Sequence, residues 1–455
     1  MTQGELWEDL RRRLPPLEEG KEEEVLIYRR FLDEHQERIR SDFLSSPRGI
    51  ETAEEQATLF DTLLTTMFER AQARARQRYP SSNGEGEAAL AMVAVGGYGR
   101  RQLSPFSDVD IVFIPSREAH PAVDEVVREV FSLLTETLLP LHHPRISHSY
   151  RPPTDIPLLD HQSLTALLEA RFLAGDESLF HGFMEVLLEH VHQADFILGL
   201  WRERWLQHRE LRSGVHLVEP NVKESPGGLR DFHSAIWLAK TAFQIRHWDV
   251  LEELMRLGRL QPQERQALVE ALEFLLCLRH ALHWEKGQKQ DVLFVQYQGP
   301  LAQFLGYRSE ELLMEDYYRH AERLHAFFYQ VVRQCDETAL PVDPGVFVRH
   351  RHVWVEGPVF LREAPHRMVK AFAVAQRYGL RIAPSAERWI QEVAQEVGGR
   401  ILEDAETAPY FLRILGGEGD VSGTLEHMLR LGLLEHLLPE FAPLMRLVPF
   451  DPAHE

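Results

Sequence analysis

Cysteine is nearly absent, with Cys277 and Cys335 alone in 455 residues. Both lie in apolar, helix-like context, so they read as reduced core residues; neither a disulfide framework nor a thiolate zinc site is implied. Long hydrophobic runs are missing too, and no apolar segment approaches the ~18–20 residues that span a bilayer. The N-terminus carries Glu5, Glu8 and Asp9 before any apolar run, the wrong charge for a secretory signal. Positive charge is in deficit: 50 Lys and Arg against 70 Asp and Glu give a net charge of −20. Such a surface repels extended nucleic acid and anionic membrane, while a local basic pocket can still hold one nucleotide. These absences lead to the expectation of a cytoplasmic protein with no membrane and no extended nucleic acid as partner. Several phosphate and metal signatures are missing as well. No Walker-type run from glycine to Lys-Ser/Thr occurs, and Gly97-Tyr98-Gly99 lacks the third glycine of the dinucleotide fingerprint. Asp108-Val109-Asp110 is followed by apolar residues, not by the third ligand and glycine of a calcium loop.

What remains is an ordinary globular composition, 44% hydrophobic and 26% charged, with material for about three domains. One stretch organises it. Ala88–Val95 is a short run of small and β-branched residues and reads as a buried strand. It breaks at Gly96-Gly97, and Gly99 follows. Glycines there allow a tight turn whose free amides hold phosphate oxygens. A second strand opens at Ser107-Asp108-Val109-Asp110 and runs through Ile114. Strand alternation points Asp108 and Asp110 to one side and Val109, Ile111 and Phe113 to the other. Two adjacent carboxylates repel unless a cation neutralises them, and oxygen-loving Mg²⁺, which commonly arrives with phosphates, is the usual cation. The physical reading is a glycine cradle for a triphosphate facing a paired-aspartate metal site.

In chain order, residues 1–80 read as helical, with Glu22–Phe43 and Glu51–Tyr79 as helices, and Pro80–Gly86 as a breaker. After a turn at Pro115–Ala119, Pro121–Leu138 is amphipathic, with Val123, Val126, Val127, Val130, Phe131 and Leu134 on the face expected to cover the sheet. Arg145–Tyr150 is a plausible third strand. Leu158–Leu173, Glu177–Val191 and Phe196–Arg212 look like three successive helices. They lead to Asn221–Asp231, where Pro226-Gly227-Gly228 enforces a sharp loop before a helix over Phe232–Phe243. Lys223 and Arg230 flank those glycines, as expected of a loop that closes over a polyanion. The same residues also fit a plainer role, with Asp231 as a helix cap and Arg230 in a structural ion pair. The helix Glu264–Trp284 aligns Leu272, Leu276, Arg279 and His283 on one stripe, so a cation and an imidazole must reach a polar pocket or be satisfied inside the core. Past Thr338, ALPVDPG marks a boundary, Val346–Pro358 alternates like a hairpin turning at Gly357, and a last helix covers Thr424–Leu438.

The stretch GGYGRRQLSPFSDVD resembles the Gly-Gly-x-Gly-Arg … Ser-Asp-x-Asp signature of the nucleotidyltransferase superfamily. A second run, Lys223-Glu224-Ser225-Pro226-Gly227-Gly228-Leu229-Arg230-Asp231, narrows the likeness to the bacterial PII uridylyltransferase/uridylyl-removing enzymes. His148-Ser149-Tyr150-Arg151, the run LRHALHWEKGQKQDVLF with Arg279, His283 and Asp291, and Asp316-Tyr317-Tyr318 continue it. The resemblance implies an α+β fold: a small mixed sheet of nucleotidyltransferase type with covering helices, then a large helical region. The segments expected are a helical 1–80, a nucleotidyltransferase core 81–155, a helical domain 156–340 with the glycine loop, and a mostly helical 341–455. It also implies Asp108 and Asp110 as catalytic Mg²⁺ ligands. Gly96, Gly97, Gly99, Arg100, Ser107, Lys223, Gly227, Gly228, Arg230 and Asp231 would bind the nucleotide, with Arg279, His283 and Asp291 in secondary roles. By resemblance the donor is UTP and the acceptor a tyrosine of a PII-type signalling protein; the residues alone leave base and acceptor open.

The sequence departs from the pattern in two places. A neighbouring strand in nucleotidyltransferases usually adds a third carboxylate, yet no Asp or Glu lies between Thr137 and Thr154, where His142, His143 and His148 stand instead. Asp155 or another segment would have to supply it, or the chain is a catalytically silent nucleotide binder. The family continues into a histidine–aspartate phosphohydrolase domain and paired small-molecule-sensing domains. This chain reaches Glu455 with no His-Asp dipeptide, so uridylyl removal and glutamine sensing are not expected of it.

Overall fold

A computed structural model describes residues 2–17, 21–79, 89–116, 120–138, 146–210 and 214–441. The expected breaker Pro80–Gly86, Ala88, the end of the Pro115–Ala119 turn, His142, His143, Arg145 and the tip of the Phe196–Arg212 helix lie outside the described residues.

Contacts divide the chain into two compact units. The first comprises Met1–Val191, Leu206–Trp237 and Ile245–Tyr329. It begins with α1 (Gln3–Arg13), α2 (Lys21–Ser45) and α3 (Gly49–Arg78). No side chain of its own caps α3. Glu273 does so from across the fold, its carboxylate accepting the Gly49 and Ile50 amides at 2.5 and 2.7 Å, which satisfies donors a helix start leaves open.

The sheet follows, as β1 (Leu90–Ala94), a single helical turn α4 (Gly96–Gly99), β2 (Val109–Pro115), α5 (Pro121–Leu138), β3 (Ile146–Tyr150), α6 (His161–Leu167) and β4 (Arg171–Gly175). Its strand order is β3-β2-β1-β4. The β2–β1 and β1–β4 pairs are antiparallel and the β2–β3 pair is parallel, so the sheet is mixed and the fold α+β. Met92, Ile111 and Phe113 are buried in one core with Leu63 and Met67 of α3 and Val126 and Val130 of α5. Phe131, expected on the covering face of α5, is 37% exposed, with its ring tilted against His148 of β3 at 4.0 Å between ring centres.

The helix expected over Leu158–Leu173 is three pieces: a 3₁₀ turn Pro153–Leu158, then α6, then β4. Asp160 caps α6 by accepting the Ser163 amide at 2.7 Å, and Arg171–Gly175 then pairs with β1, Ala174 opposite Met92. Pairing with a strand far back in the chain overrides the local helical spacing of the leucines.

The rest of the first unit draws on α7 (Glu177–Val191), α8 (Ala194–Glu210), α9 (Leu229–Ala242), α10 (Val250–Arg256), α11 (Pro262–Lys286), α12 (Val295–Phe304) and α13 (Glu310–Asp336). The second unit, His192–Trp205, Leu238–Gln244 and Gln330–Glu455, holds further short helices and a small sheet of β5 (Leu340–Asp343), β6 (Val346–Arg349), β7 (His352–Val355) and β8 (Arg381–Ile382), paired in that order. The β6–β7 hairpin turns at His350 and Arg351, both at positive φ, as a two-residue turn matched to strand twist demands. Gly357, expected at that turn, instead precedes the helix Pro358–Glu363. The last expected helix, Thr424–Leu438, is two, Val421–Arg430 and Leu434–Leu437.

Candidate active site

The glycine bend and the aspartates meet at the end of the β1–β2 pair. Gly96 has φ +59, and a Cβ there would sit 3.4 Å from Asp110 Oδ2. A side chain would therefore be strained and would crowd the carboxylate. The bend closes on itself: the Gly99 and Arg100 amides donate to the Val95 and Gly96 carbonyls at 3.0 and 3.1 Å. Gly99 is needed for close approach, since a Cβ would run into the Glu169 carbonyl and come within 2.9 Å of the Ala94 carbonyl. Asp61 of α3, almost fully buried, holds the bend from behind. It accepts both terminal nitrogens of Arg171 at 2.9 and 3.0 Å, and Arg171 in turn donates to the Gly99 and Tyr98 carbonyls at 3.3 Å. Between bend and aspartates, Arg101 and Phe106 both hold φ of +59, a backbone region that non-glycine residues adopt only when their surroundings impose it.

Asp108 and Asp110 sit at the start of β2. Burial, then the neighbouring Asp108 charge, push the Asp110 carboxyl above its ordinary range, while Lys289, Lys223 and a hydrogen bond from Ser147 pull it back. Ser147 is the β3 residue in register with Asp110. Asp108 is more open, and Lys289 Nζ donates to its Oδ2 at 2.7 Å. Ser107 Oγ is withdrawn from solvent and has no hydrogen-bond partner among the described residues.

A ring of cations faces this pair. Burial, with Arg279 and Arg230 close by, lowers Lys223 to about 8. Burial and the same two arginines also disfavour the Arg100 cation, which the Glu169 carboxylate contacts. Arg230 forms a forked pair with Glu224 at 3.0 and 3.2 Å. His233, wholly buried, gives its Nε2 proton to Gln102 Oε1 at 2.7 Å. Burial and the four surrounding cations Arg100, Arg230, Lys223 and Arg279 keep its imidazole neutral, its pKa well below the usual value.

Residues 221–231 fold as an Asx turn, Asn221 Oδ1 accepting the Lys223 and Glu224 amides at 3.0 and 2.8 Å. Gly227 has φ +78 and its Cα abuts the Ala321 backbone of α13; its amide donates to Asp231 Oδ2 at 2.7 Å. Gly228 is pressed against the Val222 and Lys223 carbonyls. These two glycines serve close packing. Asp231 is fully buried, with His208 Nε2 and His325 Nδ1 on its two oxygens at 2.8 and 2.9 Å.

Arg279, His283 and Asp291 form a bracket beneath the Ser104–Ser107 loop. Arg279 donates to Asp291 Oδ1 at 2.7 Å and to Ser104 Oγ at 2.9 Å. His283 contacts the Pro105 carbonyl and lies 3.1 Å from Asp291 Oδ1. Burial opposes ionisation of Asp291, but the His283 hydrogen bond and the Arg279 charge outweigh it and hold its carboxyl well below the carboxylate range.

The structure thus gathers Gly96, Asp110, Asp108, Arg100, Lys223, Arg230 and Arg279 into one electrostatic neighbourhood. It turns Asp231 toward two histidines. Lys289, Glu169 and His233 belong to the site and were not read from the sequence. Lys289 lies inside the family-like run and was open to notice; Glu169 and His233 carry no motif.

A family model described as GlnD PII-uridylyltransferase matches residues 195–332. A bifunctional uridylyltransferase/uridylyl-removing enzyme of Ruegeria pomeroyi is 30% identical over 392 residues, covering 80% of this chain and 42% of the relative. The enzyme of the same description from Nitrosococcus oceani is 28% identical over 453 residues, 94% of this chain and 48% of the relative. That from Cereibacter sphaeroides is 30% identical over 426 residues, 88% and 44%. The chain spans about half the length of the curated relatives it matches. No helix among the described residues is long and apolar enough to cross a membrane. Over most of its length the chain is similar to a half-length portion of enzymes described as bifunctional uridylyltransferase/uridylyl-removing enzymes.

Proposed function

We propose that the chain is a nucleotidyltransferase that binds UTP with Mg²⁺ and transfers UMP to a tyrosine hydroxyl of a PII-type signalling protein, in the cytoplasm. The observation that carries the first half is the meeting of Gly96 with Asp110 under a ring of cations. Similarity to enzymes described as uridylyltransferases supports the choice of base, and the match to a family described as PII-uridylyltransferase supports the acceptor.

The residues fit the metal. Asp108 and Asp110 offer only oxygen donors, which suits Mg²⁺. Their repulsion already draws a cation, since Lys289 contacts Asp108 and Asp110 is held above its usual pKa. Bound there, Mg²⁺ would neutralise phosphate charge as diphosphate leaves. The protein's own part is orientation and charge. Lys223 draws in the polyphosphate as a point charge, and Arg230, forked onto Glu224, adds positive potential beside it. Ser107 Oγ has hydrogen-bonding capacity to spare. Arg100, tied to Glu169, and Arg279, tied to Asp291, set the positive potential from fixed positions. Attack of the acceptor oxygen on the α-phosphorus forms one P–O bond and breaks the bond to diphosphate, and the hydroxyl proton passes to solvent.

A second reading has its own observation. Ser147 occupies the register position beside Asp110 and Lys289 holds Asp108, which favours a catalytically silent nucleotide-binding regulator. A transferase with another nucleotide or acceptor is the third reading. Incubation with α-labelled UTP or ATP, Mg²⁺ and PII separates them. Label on PII from UTP supports the proposal, and label from ATP or on another acceptor supports the third reading. Binding without turnover supports the regulator. Asp108→Asn with Asp110→Asn should cut transfer by at least ~10³-fold, a loss of roughly 4 kcal/mol of transition-state stabilisation, with the circular dichroism unchanged; full activity in that variant rejects the metal assignment.

A further inference from the structure

Asp231 opens α9 with a side chain wholly inside the protein. Its oxygens accept from the Gly227 amide, from His208 Nε2 and from His325 Nδ1. The two imidazoles come from different helices, α8 and α13, and their ring centres stand 5.2 Å apart. One nitrogen from each and one carboxylate oxygen all lie within 4.8 Å of one another.

A buried carboxylate is costly unless hydrogen bonds or a cation compensate it. Imidazole N–H groups donating to both carboxylate oxygens meet that need in the arrangement seen. The same three side chains, with those nitrogens deprotonated, are a two-histidine, one-carboxylate donor set of the kind that holds zinc and other divalent transition metals. Bonds of about 2.0–2.2 Å around a tetrahedral ion place donor atoms roughly 3.3–3.6 Å apart. The present donor atoms, His208 Nε2 and Asp231 Oδ1 being 2.8 Å apart and all three within 4.8 Å of one another, need only small shifts to meet that value. The outer contacts are also those of a metal site. His208 Nδ1 faces Tyr329 Oη at 3.4 Å, and Asp231 Oδ2 is fixed by the Gly227 amide. His325 is 28% exposed and His208 8%, so an ion has a way in from the His325 side, where water can complete the coordination.

We propose that His208, Asp231 and His325 form a Zn²⁺ site that braces the glycine loop through Asp231. The ion fixes the Asp231 carboxylate, which fixes the Gly227 amide, and the loop bearing Lys223 and Arg230 is held in its folded form. The site is structural and separate from the Mg²⁺ site at Asp108 and Asp110, and it stands whether or not the chain transfers nucleotides.

The test uses the full chain, stripped with chelator, equilibrated with ZnCl₂, gel-filtered and assayed for zinc by mass spectrometry. About one zinc per chain is expected, with a rise in melting temperature that chelator reverses. His208→Gln with His325→Gln should raise the zinc Kd by ~100-fold or more and abolish the zinc-dependent rise. Co²⁺ in the native chain should give the intense visible absorption of a tetrahedral site. If the double variant fails to fold, the more exposed His325→Gln alone is compared, and the Co²⁺ spectrum of the native chain decides. A native chain that retains no zinc and gives no such spectrum, or a folded variant that retains as much as the native chain, overturns the proposal and leaves a hydrogen-bonded triad.

Discussion

Lys289 lies against Asp108 with both side chains about two-fifths exposed, 43% and 38%. A solvent-screened pair of this kind is worth 0.2–1 kcal/mol, so it competes with a divalent ion only mildly. Lys289→Met should therefore lower the Mg²⁺ concentration that half-supports nucleotide binding by about two- to fivefold, as read by titrating Mg²⁺ against a fluorescent UTP analogue. An unchanged midpoint would show that the ammonium does not contend for that carboxylate. Lys223 acts oppositely. Burial and two arginines bring it down to about 8, so its charge is present below that pH and fades above it. UTP affinity should fall as pH rises from 7 to 9, and Lys223→Gln should bind more weakly throughout with that part of the slope gone. At this scale the sequence was most informative where chemistry and spacing coincide, in Gly96 and the Asp-x-Asp pair. It said little about Glu169, whose partners Arg100 and Trp237 are set by packing, or about His208 and His325, which lie outside every motif.

The glycine bend is an element whose three glycines have unequal duties. A Cβ on Gly97 would meet nothing closer than 3.7 Å, whereas on Gly99 it would strike the Glu169 backbone. Gly97→Ala should thus keep its stability within about 0.5 kcal/mol, while Gly99→Ala should lose ~1–3 kcal/mol or more from overpacking, both measured by urea unfolding. Equal losses would mean that the bend is free to shift. The α3 start offers a parallel case. Glu273→Ala strips two amides of their acceptor and should cost about 1–2 kcal/mol. Elements with strong local periodicity, such as α5 and α7, could be read from the chain alone. β4 could not, because Arg171–Gly175 becomes a strand only through β1 and the hold of Asp61 on Arg171. The β6–β7 turn escaped for a related reason: His350 and Arg351 adopt positive φ under the demand of strand twist, against their own preference.

Across the whole molecule, acidity dominates at −20, yet the site gathers Arg100, Lys223, Arg230, Arg279 and Lys289 within electrostatic reach of one another or of the two aspartates. Part of the cost of that crowding is offset by Asp291. Its carboxyl is depressed in the folded state, so its stabilising share is complete above the unfolded value of about 3.9 and is lost as pH falls from there toward the folded value. Asp291→Asn should lose ~3–5 kcal/mol by leaving Arg279 uncompensated, and its stability should depend less steeply on pH below 4 than the native chain's. Urea melts at stepped pH give both numbers. The chain-order segments and the contact units differ because residues 192–205 and 238–244 join the C-terminal unit, a grouping that only folding reveals.

A short bridge pairs Asn221 with Val292, and the Val222 amide donates to the Asp291 carbonyl at 2.8 Å. Lys223 and Lys289 are each carried a few residues from that seam, one toward either aspartate. The two ammonium groups therefore behave like tines on one handle. Combined substitutions at 223 and 289 should accordingly not simply add in their effect on nucleotide affinity.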